Sequence, residues 1–338
     1  MDKRTLRETA QRLMAGDKGL LAMDESTPTA NKRFEEIGIP QTEEYRRKYR
    51  EMIVTAPGLG DCISGAILFE ETTRQSTKDG VPFIEVLEQA GIIPGIKLDE
   101  GAKDMAAFPG EKITEGLDGL RERITGYAAL GLKFAKWRAV LTIDKSTPTD
   151  GNIYANAHAL ARYATLCQEA GIVPIVEPEV LMEGDHTIEQ CLAATTRVLQ
   201  IVFEVLISQR VYLEGMILKP NMILPGLDAK EQADAARVAE ETITCLLRCV
   251  PAAVPGVAFL SGGQSATDAS AHLNAMHVSY PELPWALTFS FARAVQQPAM
   301  EYWKGLDENV PHAQQLLVER ASLNNAARRG EYRKEMED

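Results

Sequence analysis

The sequence lacks the features that mark several large classes of protein. Its 338 residues carry a net charge of -12, whereas nucleic-acid binding typically needs an excess of positive charge. No apolar run is expected to approach the length that crosses a membrane, and the N-terminus has a polar helical pattern rather than a signal peptide. We therefore expect no nucleic-acid partner, no membrane association and a cytoplasmic location.

Metal and nucleotide motifs are also absent from the sequence. The five cysteines are scattered and form no CxxC pair, which favours reduced thiols, and the five histidines form no HExxH or similar cluster. No GxGxxG or Walker motif follows an apolar run. The sequence therefore predicts no metal site and no cofactor.

What the sequence does contain is a series of eight short apolar runs that alternate with helical patterns. The runs are continuously apolar, as in strands that are buried on both faces. They lie at residues 19–25, 62–69, 93–99, 134–141, 172–180, 213–219, 256–263 and 285–291.

No break in composition divides the chain. The pattern predicts an α/β protein in which residues 1–338 form a single (β/α)₈ TIM barrel. An extra N-terminal helix precedes the barrel, a C-terminal helical segment follows it, and residues 333–338 form a charged tail that we expect to be mobile. A doubly wound sheet is the alternative architecture.

Lys219 lies in an unusual place, at the end of the sixth apolar run. Pro220 has no N–H and cannot extend a sheet ladder, so Lys219 is predicted to be the last strand residue before a loop. On this stretch alone a solvated surface cation is the favoured interpretation. The competing interpretation is an amine nucleophile that forms a Schiff base with a ketone.

Charged and polar residues collect at the other predicted strand ends, where barrel enzymes carry out their chemistry. Lys136 and Arg138 are two residues apart, as are Glu177 and Glu179, so each pair should face one side of its strand. One explanation is a purely structural layer of ion pairs inside the barrel. The full set of candidates at strand ends is Asp24, Lys97, Lys136, Arg138, Glu177, Glu179, Lys219, Ser261 and Arg293.

A functional explanation gives separate tasks to four of these residues. Lys219 must be neutral to attack a carbonyl, and desolvation together with the nearby cation of Lys136 favours the neutral amine. Glu177 could transfer protons while the carbinolamine becomes an iminium ion. Asp24 could orient the two lysines or accept a proton from a substrate hydroxyl.

Two groups of residues are candidate phosphate sites. Ser261-Gly262-Gly263 follows the seventh strand and offers backbone N–H groups, and Arg293 follows the eighth strand. An ordinary turn is the competing interpretation. At the other end of the mouth the candidates are Ser26, Thr29 and Lys97, with Arg33 the weakest because helical arginines are mostly solvated.

Several long motifs resemble the class I fructose-1,6-bisphosphate aldolases, and the resemblance runs from Gly19 to Tyr332. The motifs are Leu21-Ala22-Met23-Asp24-Glu25-Ser26-Thr27, Phe134-Ala135-Lys136-Trp137-Arg138, Val176-Glu177-Pro178-Glu179, Leu218-Lys219-Pro220-Asn221-Met222, Phe259-Leu260-Ser261-Gly262-Gly263-Gln264-Ser265 and Trp285-Ala286-Leu287-Thr288-Phe289-Ser290. The resemblance implies reversible, metal-independent cleavage of fructose 1,6-bisphosphate to dihydroxyacetone phosphate and glyceraldehyde 3-phosphate. It also implies a homotetramer.

The same resemblance implies a role for each matched residue. Lys219 is the Schiff-base lysine, Glu177 is the principal acid and base, and Glu179 holds the charge network beside it. The other matches are Asp24 and Lys136 near the substrate hydroxyls, Ser261, Gly262 and Arg293 at the phosphate of the dihydroxyacetone half, Ser26, Thr29 and Lys97 at the second phosphate, and Arg138 close to the substrate.

This chain departs from the animal members of the family at three places. Pro28 and Thr29 replace glycine and serine, which should stiffen a loop, and Ala292 replaces a glycine next to the expected phosphate site. The chain also ends at Asp338 without a terminal tyrosine. Either another group, with Glu177 the nearest candidate, handles the proton on the enamine carbon, or that step is slow.

Three alternative functions remain to be weighed. A transaldolase would need one phosphate site, whereas this sequence has candidates for two. A metal-dependent aldolase would need histidines at strand ends, but the histidines fall in or beside predicted helices and loops. A barrel that only binds ligands would be expected to have lost Lys219 or Glu177.

Overall fold

A computed structural model describes residues 2–337 of the chain. Its strands are β1 (Gly19–Met23), β2 (Ile63–Leu68), β3 (Ile93–Lys97), β4 (Ala102–Asp104), β5 (Lys112–Thr114), β6 (Phe134–Leu141), β7 (Val173–Val180), β8 (Ile217–Leu218), β9 (Gly256–Phe259) and β10 (Ala286–Phe289).

Helices follow or flank these strands. They are α1 (Lys3–Leu13), α2 (Thr27–Glu36), α3 (Glu43–Val54), α4 (Leu59–Cys62), α5 (Glu70–Thr73), α6 (Phe83–Gln89), α7 (Leu120–Ala129), α8 (Asp150–Glu169), α9 (Ile188–Ser208), α10 (Ala235–Cys249), α11 (Ala266–Ser279), α12 (Arg293–Trp303) and α13 (Val310–Arg328). Three short 3₁₀ turns lie at Leu213–Gly215, Asp307–Asn309 and Lys334–Glu337.

Eight of the strands form one parallel sheet that curves into a barrel. Its order is β1-β2-β3-β6-β7-β8-β9-β10, and β4 and β5 form a separate antiparallel hairpin. The N–H of Ala22 donates to the carbonyl oxygen of Phe291 over 3.1 Å, which links the first and last strands of the barrel. The predicted (β/α)₈ barrel with an additional N-terminal helix and C-terminal helices is confirmed.

Several element boundaries differ from the sequence prediction. The predicted strand at residues 213–219 is shorter in the structure, because Leu213–Gly215 forms a 3₁₀ turn and Pro220 stops the ladder directly after the Lys219 N–H donates to Val176 O over 2.8 Å. The β4–β5 hairpin lies between β3 and α7, where no apolar run indicated strands. Helix α11 was not predicted, because its sequence of small and polar residues has a weak apolar pattern. The C-terminal helical segment is two helices, α12 and α13.

Helix α1 covers the end of the barrel at which the strands begin. Its residues pack into a buried apolar group, here called the floor cluster, which has no charged member. The cluster comprises Leu6, Leu13, Met14, Leu20, Ile93, Phe134, Val173 and Ile217. Glycines in the strands make room for it: a Cβ atom on Gly95 would lie 2.4 Å from the Phe134 ring, and one on Gly256 would lie 2.2 Å from Met14.

Helix α9 is long and apolar enough to cross a membrane by length and composition, with a mean hydropathy of 1.6. The expectation that no apolar run approaches that length was therefore wrong. In this fold α9 lies between α8 and α10 in the outer ring of helices, and its buried residues include Val198, Leu199 and Phe203. The apolar composition therefore has a structural explanation in helix packing.

The predicted tail consists of residues 333–338, of which Asp338 lies outside the described residues. Lys334–Glu337 forms a 3₁₀ turn. The Glu337 carboxylate accepts a hydrogen bond of 2.7 Å from the Tyr332 hydroxyl and forms an ion pair with Arg320 on α13. Within residues 2–337, the tail thus makes specific contacts with the rest of the chain through Glu337.

Candidate active site

Four of the residues singled out in the sequence form a buried ion-pair cluster at the carboxyl ends of the strands. Asp24 directly follows β1, Lys136 lies on β6, Glu177 lies on β7 and Lys219 directly follows β8. Lys136 Nζ lies 2.7 Å from Asp24 Oδ2 and 3.2 Å from Glu177 Oε2, and Lys219 Nζ lies 3.0 Å from Glu177 Oε1. These four residues are between 3% and 9% exposed. Lys219 is therefore not a solvated surface cation.

The carboxylates in this cluster are held in their ionised form. Burial alone would raise the pKa of Asp24, but the ammonium groups of Lys136 and Lys219 outweigh it and lower the pKa to about 2. Burial likewise opposes the lowered pKa of Glu177, which Lys136, Lys219 and Arg138 produce. Burial would lower the pKa of Lys136, but Asp24 and Glu177 raise it above its usual range. Lys136 is thus a permanent cation beside the lysine at the end of β8.

The two oxygens of Glu177 have different surroundings. Oε1 faces Lys219. No hydrogen bond reaches Oε2 from residues 2–337, since Lys136 is near enough for charge attraction but poorly aligned for hydrogen bonding. A buried carboxylate oxygen without a hydrogen bond is ready to accept one from a substrate hydroxyl.

A second layer of charges lies beside this cluster. Arg138 Nε is hydrogen-bonded to Glu179 Oε2, as the shared strand face predicted. Asp99 Oδ1 forms an ion pair of 2.6 Å with Lys97 Nζ, and Asp99 Oδ2 accepts a hydrogen bond of 3.1 Å from the Arg138 backbone N–H. Asp99 was not among the residues predicted from the sequence. The sequence feature that could have identified Asp99 is its position two residues after Lys97, at a strand end.

The Ser261–Gly263 segment forms a tight turn after β9. The Gln264 N–H donates to Ser261 O over 3.0 Å. Gly262 and Gly263 have φ angles of 57° and 93°, in the left-handed region that favours glycine. Neither glycine N–H donates a hydrogen bond to any of residues 2–337. The turn therefore presents two free donors, as an anion site requires.

A cavity of about 600 Å³ opens beside this turn, and its lining includes Thr29, Arg33, Ser261, Gly263 and Arg293. Thr29 was predicted to lie with Lys97 at the opposite end of the mouth. In the structure it lines the same cavity as Ser261 and Arg293. Lys97 is instead bonded to Asp99.

Two of the family departures fit the local backbone in different ways. Pro28 lies in the first turn of α2, where a missing N–H costs nothing, and Ser26 Oγ is within 3.0 Å of Thr29 Oγ1. Ala292 has a φ of -104°, outside the left-handed region that favours glycine. Its side chain is half-buried just before the exposed Arg293.

Arg33 was expected to be solvated, and this expectation was wrong. It is 8% exposed and is paired with Glu25, whose other carboxylate oxygen lies 2.7 Å from Arg50. Burial would raise the pKa of Glu25, but the two guanidinium groups lower it. Sequence reasoning missed this buried trio because its members come from three separate elements.

The described part of the chain, residues 2–337, contains no group of three His, Cys, Asp or Glu side chains placed to hold a metal ion. The sequence prediction that the chain uses no cofactor stays a prediction.

Comparisons with known proteins agree on one family. The family model described as Fructose-bisphosphate aldolase class-I matches residues 5–338. A protein named probable fructose-bisphosphate aldolase class 1 from Xanthomonas campestris is 54% identical over 97% of this chain and 98% of its own length. Cytosolic fructose-bisphosphate aldolase 6 of Arabidopsis thaliana is 48% identical over 94% of this chain and 88% of its own length.

A solved structure is similar along nearly the whole chain. It is fructose-bisphosphate aldolase from Plasmodium falciparum, crystallised with TRAP and a small-molecule inhibitor. The TM-score is 0.96 and the identity is 47%, with 98% of this chain and 96% of that chain covered.

Proposed function

The chain belongs to the class I fructose-bisphosphate aldolase family, and on this basis we propose that it cleaves fructose 1,6-bisphosphate reversibly to dihydroxyacetone phosphate and glyceraldehyde 3-phosphate. The observation that carries the proposal is the contact of 3.0 Å between Lys219 Nζ and Glu177 Oε1 inside a buried, charged mouth. An amine beside a carboxylate is the pair that Schiff-base chemistry needs.

In the first step, the Lys219 amine attacks the C2 carbonyl carbon of the open-chain ketose. Glu177 Oε1 is placed to take the proton that the amine must lose. The same carboxyl group then protonates the carbinolamine hydroxyl. That hydroxyl leaves as water, and the C2–N iminium bond forms.

In the second step, the C4 hydroxyl loses its proton and the C3–C4 bond breaks. The electron pair of the C3–C4 bond moves into the iminium, which becomes an enamine, and the aldehyde is released. Glu177 Oε2 is the better base for this step, because it has no hydrogen bond within residues 2–337. Asp24, with a pKa near 2, is a weak base. We therefore assign Asp24 to fixing Lys136, whose charge stabilises the developing alkoxide.

Phosphate recognition accounts for the remaining candidates. The free N–H groups of the Ser261–Gly263 turn and the Arg293 guanidinium would bind the phosphate of the dihydroxyacetone half. Ser26 and Thr29, together with Lys97 and Arg138, would bind the second phosphate. This requires that Lys97 move from Asp99 to the substrate and that the second phosphate reach the side of the Ser261–Arg293 cavity that Thr29 lines. These local cations and donors allow an acidic protein to bind anionic sugars.

We also propose that the protein is a cytoplasmic homotetramer. The family resemblance supports the tetramer, and the cytosolic name of the Arabidopsis relative supports the location. Sedimentation equilibrium of the purified chain measures the assembly directly, and a mass of one or two chains would contradict the tetramer.

The central test traps the intermediate. Borohydride added with dihydroxyacetone phosphate should reduce the iminium and add the mass of the reduced adduct to the peptide that contains Lys219. Cleavage should retain full activity in EDTA. An adduct on another lysine, or no adduct, would overturn the assignment of Lys219, and loss of activity in EDTA would favour a metal-dependent mechanism.

A further inference from the structure

A buried histidine on α11 contacts the turn that faces the phosphate cavity. His272 is 8% exposed, and its Nδ1 lies 2.6 Å from Gln264 Oε1. Gln264 is the residue that closes the turn.

The hydrogen bonds of Gln264 determine which atoms donate. Its Nε2 lies 2.9 Å from Ser261 O, which can only accept, so the amide nitrogen must face the turn. Oε1 then faces His272, and Nδ1 must carry the hydrogen that it donates. Burial lowers the pKa of His272, against the effect of Asp268, so the neutral Nδ1–H form is the one present at neutral pH.

The carbonyl of Ser261 therefore accepts two hydrogen bonds from the same residue. The backbone N–H of Gln264 donates over 3.0 Å and its side chain donates over 2.9 Å. Gln264 Nε2 also lies 3.7 Å from Met222 Sδ, three residues beyond Lys219. One amide thus connects the turn to the loop that follows the nucleophile.

The two glycines of the turn need such support. Glycine can adopt many backbone conformations, so Gly262 and Gly263 keep their observed φ angles of 57° and 93° only if neighbouring groups hold the turn. Preorganised donors bind an anion better than donors that must first become ordered. His272 orients Gln264, and Gln264 holds the turn.

We infer that Gln264 and His272 are positioning residues that hold the Ser261–Gly263 turn in its phosphate-binding conformation. This inference rests on the proposed function, because it takes the turn to be the site for the phosphate of dihydroxyacetone phosphate. Neither residue needs to touch the reacting atoms. Loss of either should weaken phosphate binding and leave the chemistry of Lys219 intact.

Matched variants separate this role from general stability. Asn places an amide nitrogen where the histidine has Nδ1, whereas Leu fills a similar volume without a donor. His272→Leu should raise KM for fructose 1,6-bisphosphate by about 3- to 10-fold, the effect of one lost hydrogen bond, with kcat changed less than about 2-fold. His272→Asn should recover most of the loss. Gln264→Met, which removes both side-chain bonds, should raise KM at least as much.

His277→Leu is the control, because His277 lies on the same helix, is half-buried and has no hydrogen bond to Gln264 or to residues 261–263. It should leave KM unchanged. Equal increases of KM in His272→Leu and His277→Leu would show a general effect of disturbing α11 and would overturn the inference.

A second readout uses two ketones that differ only in phosphate. Borohydride trapping of dihydroxyacetone phosphate on Lys219 should be slower in His272→Leu and Gln264→Met at subsaturating concentration, whereas trapping of dihydroxyacetone should match the parent enzyme. If both ketones are trapped equally more slowly, or neither is affected, the positioning role is wrong. If the parent enzyme forms no adduct on Lys219, the proposed function fails instead. Should His272→Leu not fold, Gln264→Met decides the question.

Discussion

The two ends of the barrel bury different kinds of side chain on the same strands. At the floor, strand residues such as Phe134 and Val173 pack with Leu13 of α1 and the adjacent Met14 in an apolar cluster. At the mouth, β6 and β7 carry Lys136 and Glu177, which are as deeply buried but are charged. One strand therefore changes from apolar packing to ion pairing within a few residues.

The two ends of the barrel differ in how much their buried side chains stabilise the fold. Fully burying a large apolar side chain contributes about 1.5–3 kcal/mol, so the floor cluster stabilises the barrel directly. Buried ion pairs contribute little net stability, because desolvation offsets their attraction. The mouth thus holds charges that the fold does not need, which is what a catalytic site requires.

The largest effect is expected at the mouth, from Lys219→Met. Removing the nucleophile should lower kcat/KM by at least about 10⁴-fold, because the other amine of the cluster, Lys136, is held as a cation and cannot attack a carbonyl. Binding of the bisphosphate should remain measurable by calorimetry. At the floor, the volume-conserving Leu20→Met should cost less than about 1.5 kcal/mol and leave the rate unchanged. A Lys219→Met enzyme that keeps a hundredth of the parent kcat/KM would show that Lys219 is not the essential nucleophile of the mouth.

Lys136→Met tests whether the mouth charges depend on one another. It leaves Asp24 and Glu177 without their shared cation, so unfolding in urea should show a loss of about 3–5 kcal/mol. The double variant Asp24→Asn/Lys136→Met should recover part of that loss. Additive losses in the double variant would show that the two residues are not coupled.

Gly95→Ala tests the floor. The added methyl group would meet the Phe134 ring at 2.4 Å, so the variant should lose about 1–3 kcal/mol of stability with kcat/KM unchanged. Gly126→Ala is the control: it lies inside α7 with open space around it and should stabilise the protein by about 0.5–1 kcal/mol. A lower kcat/KM in Gly95→Ala would show that floor and mouth are coupled.

The pH dependence of stability should also distinguish the mouth. The pKa of Asp24 is lowered from 3.8 to about 2 on folding, so its ionised form favours the folded state above pH 4. That contribution, about 2 kcal/mol, should be lost as the pH falls from about 4 to 2. The free energy of unfolding, measured in urea, should change less with pH over this range in Asp24→Asn than in the parent protein. An equal change with pH in the two proteins would contradict the lowered pKa.

The smallest catalytic effect is expected from a segment that belongs to neither end. Deleting residues 333–338 should change proton exchange on dihydroxyacetone phosphate less than 10-fold, measured by NMR in heavy water. It removes the Glu337 partner of Arg320, so the melting temperature should fall. Glu337→Gln, which keeps the tail, is the control. A larger drop in exchange would show that the tail takes part in catalysis.

Much of this organisation could be predicted from particular residues. The continuous apolar runs indicated the eight barrel strands, and Pro220 indicated where the shortest one ends. Helix α11 and the β4–β5 hairpin could not be predicted, because neither has a strong apolar periodicity. The burial of Arg33 was missed because exposure depends on neighbours that are distant in sequence, here Glu25 and Gln297.

The amino-acid order alone was enough to place Lys219 at the end of an apolar run and to put the charged pairs of β6 and β7 each on one face of its strand. The pairing of Lys136 with Asp24, the contact of Glu177 with both lysines and the cavity shared by Thr29 and Arg293 depend on the folded barrel. The reason is geometric. Spacing along a strand sets the direction of a side chain, but closure of the barrel sets the distance between strand ends, and ionic contacts depend on that distance.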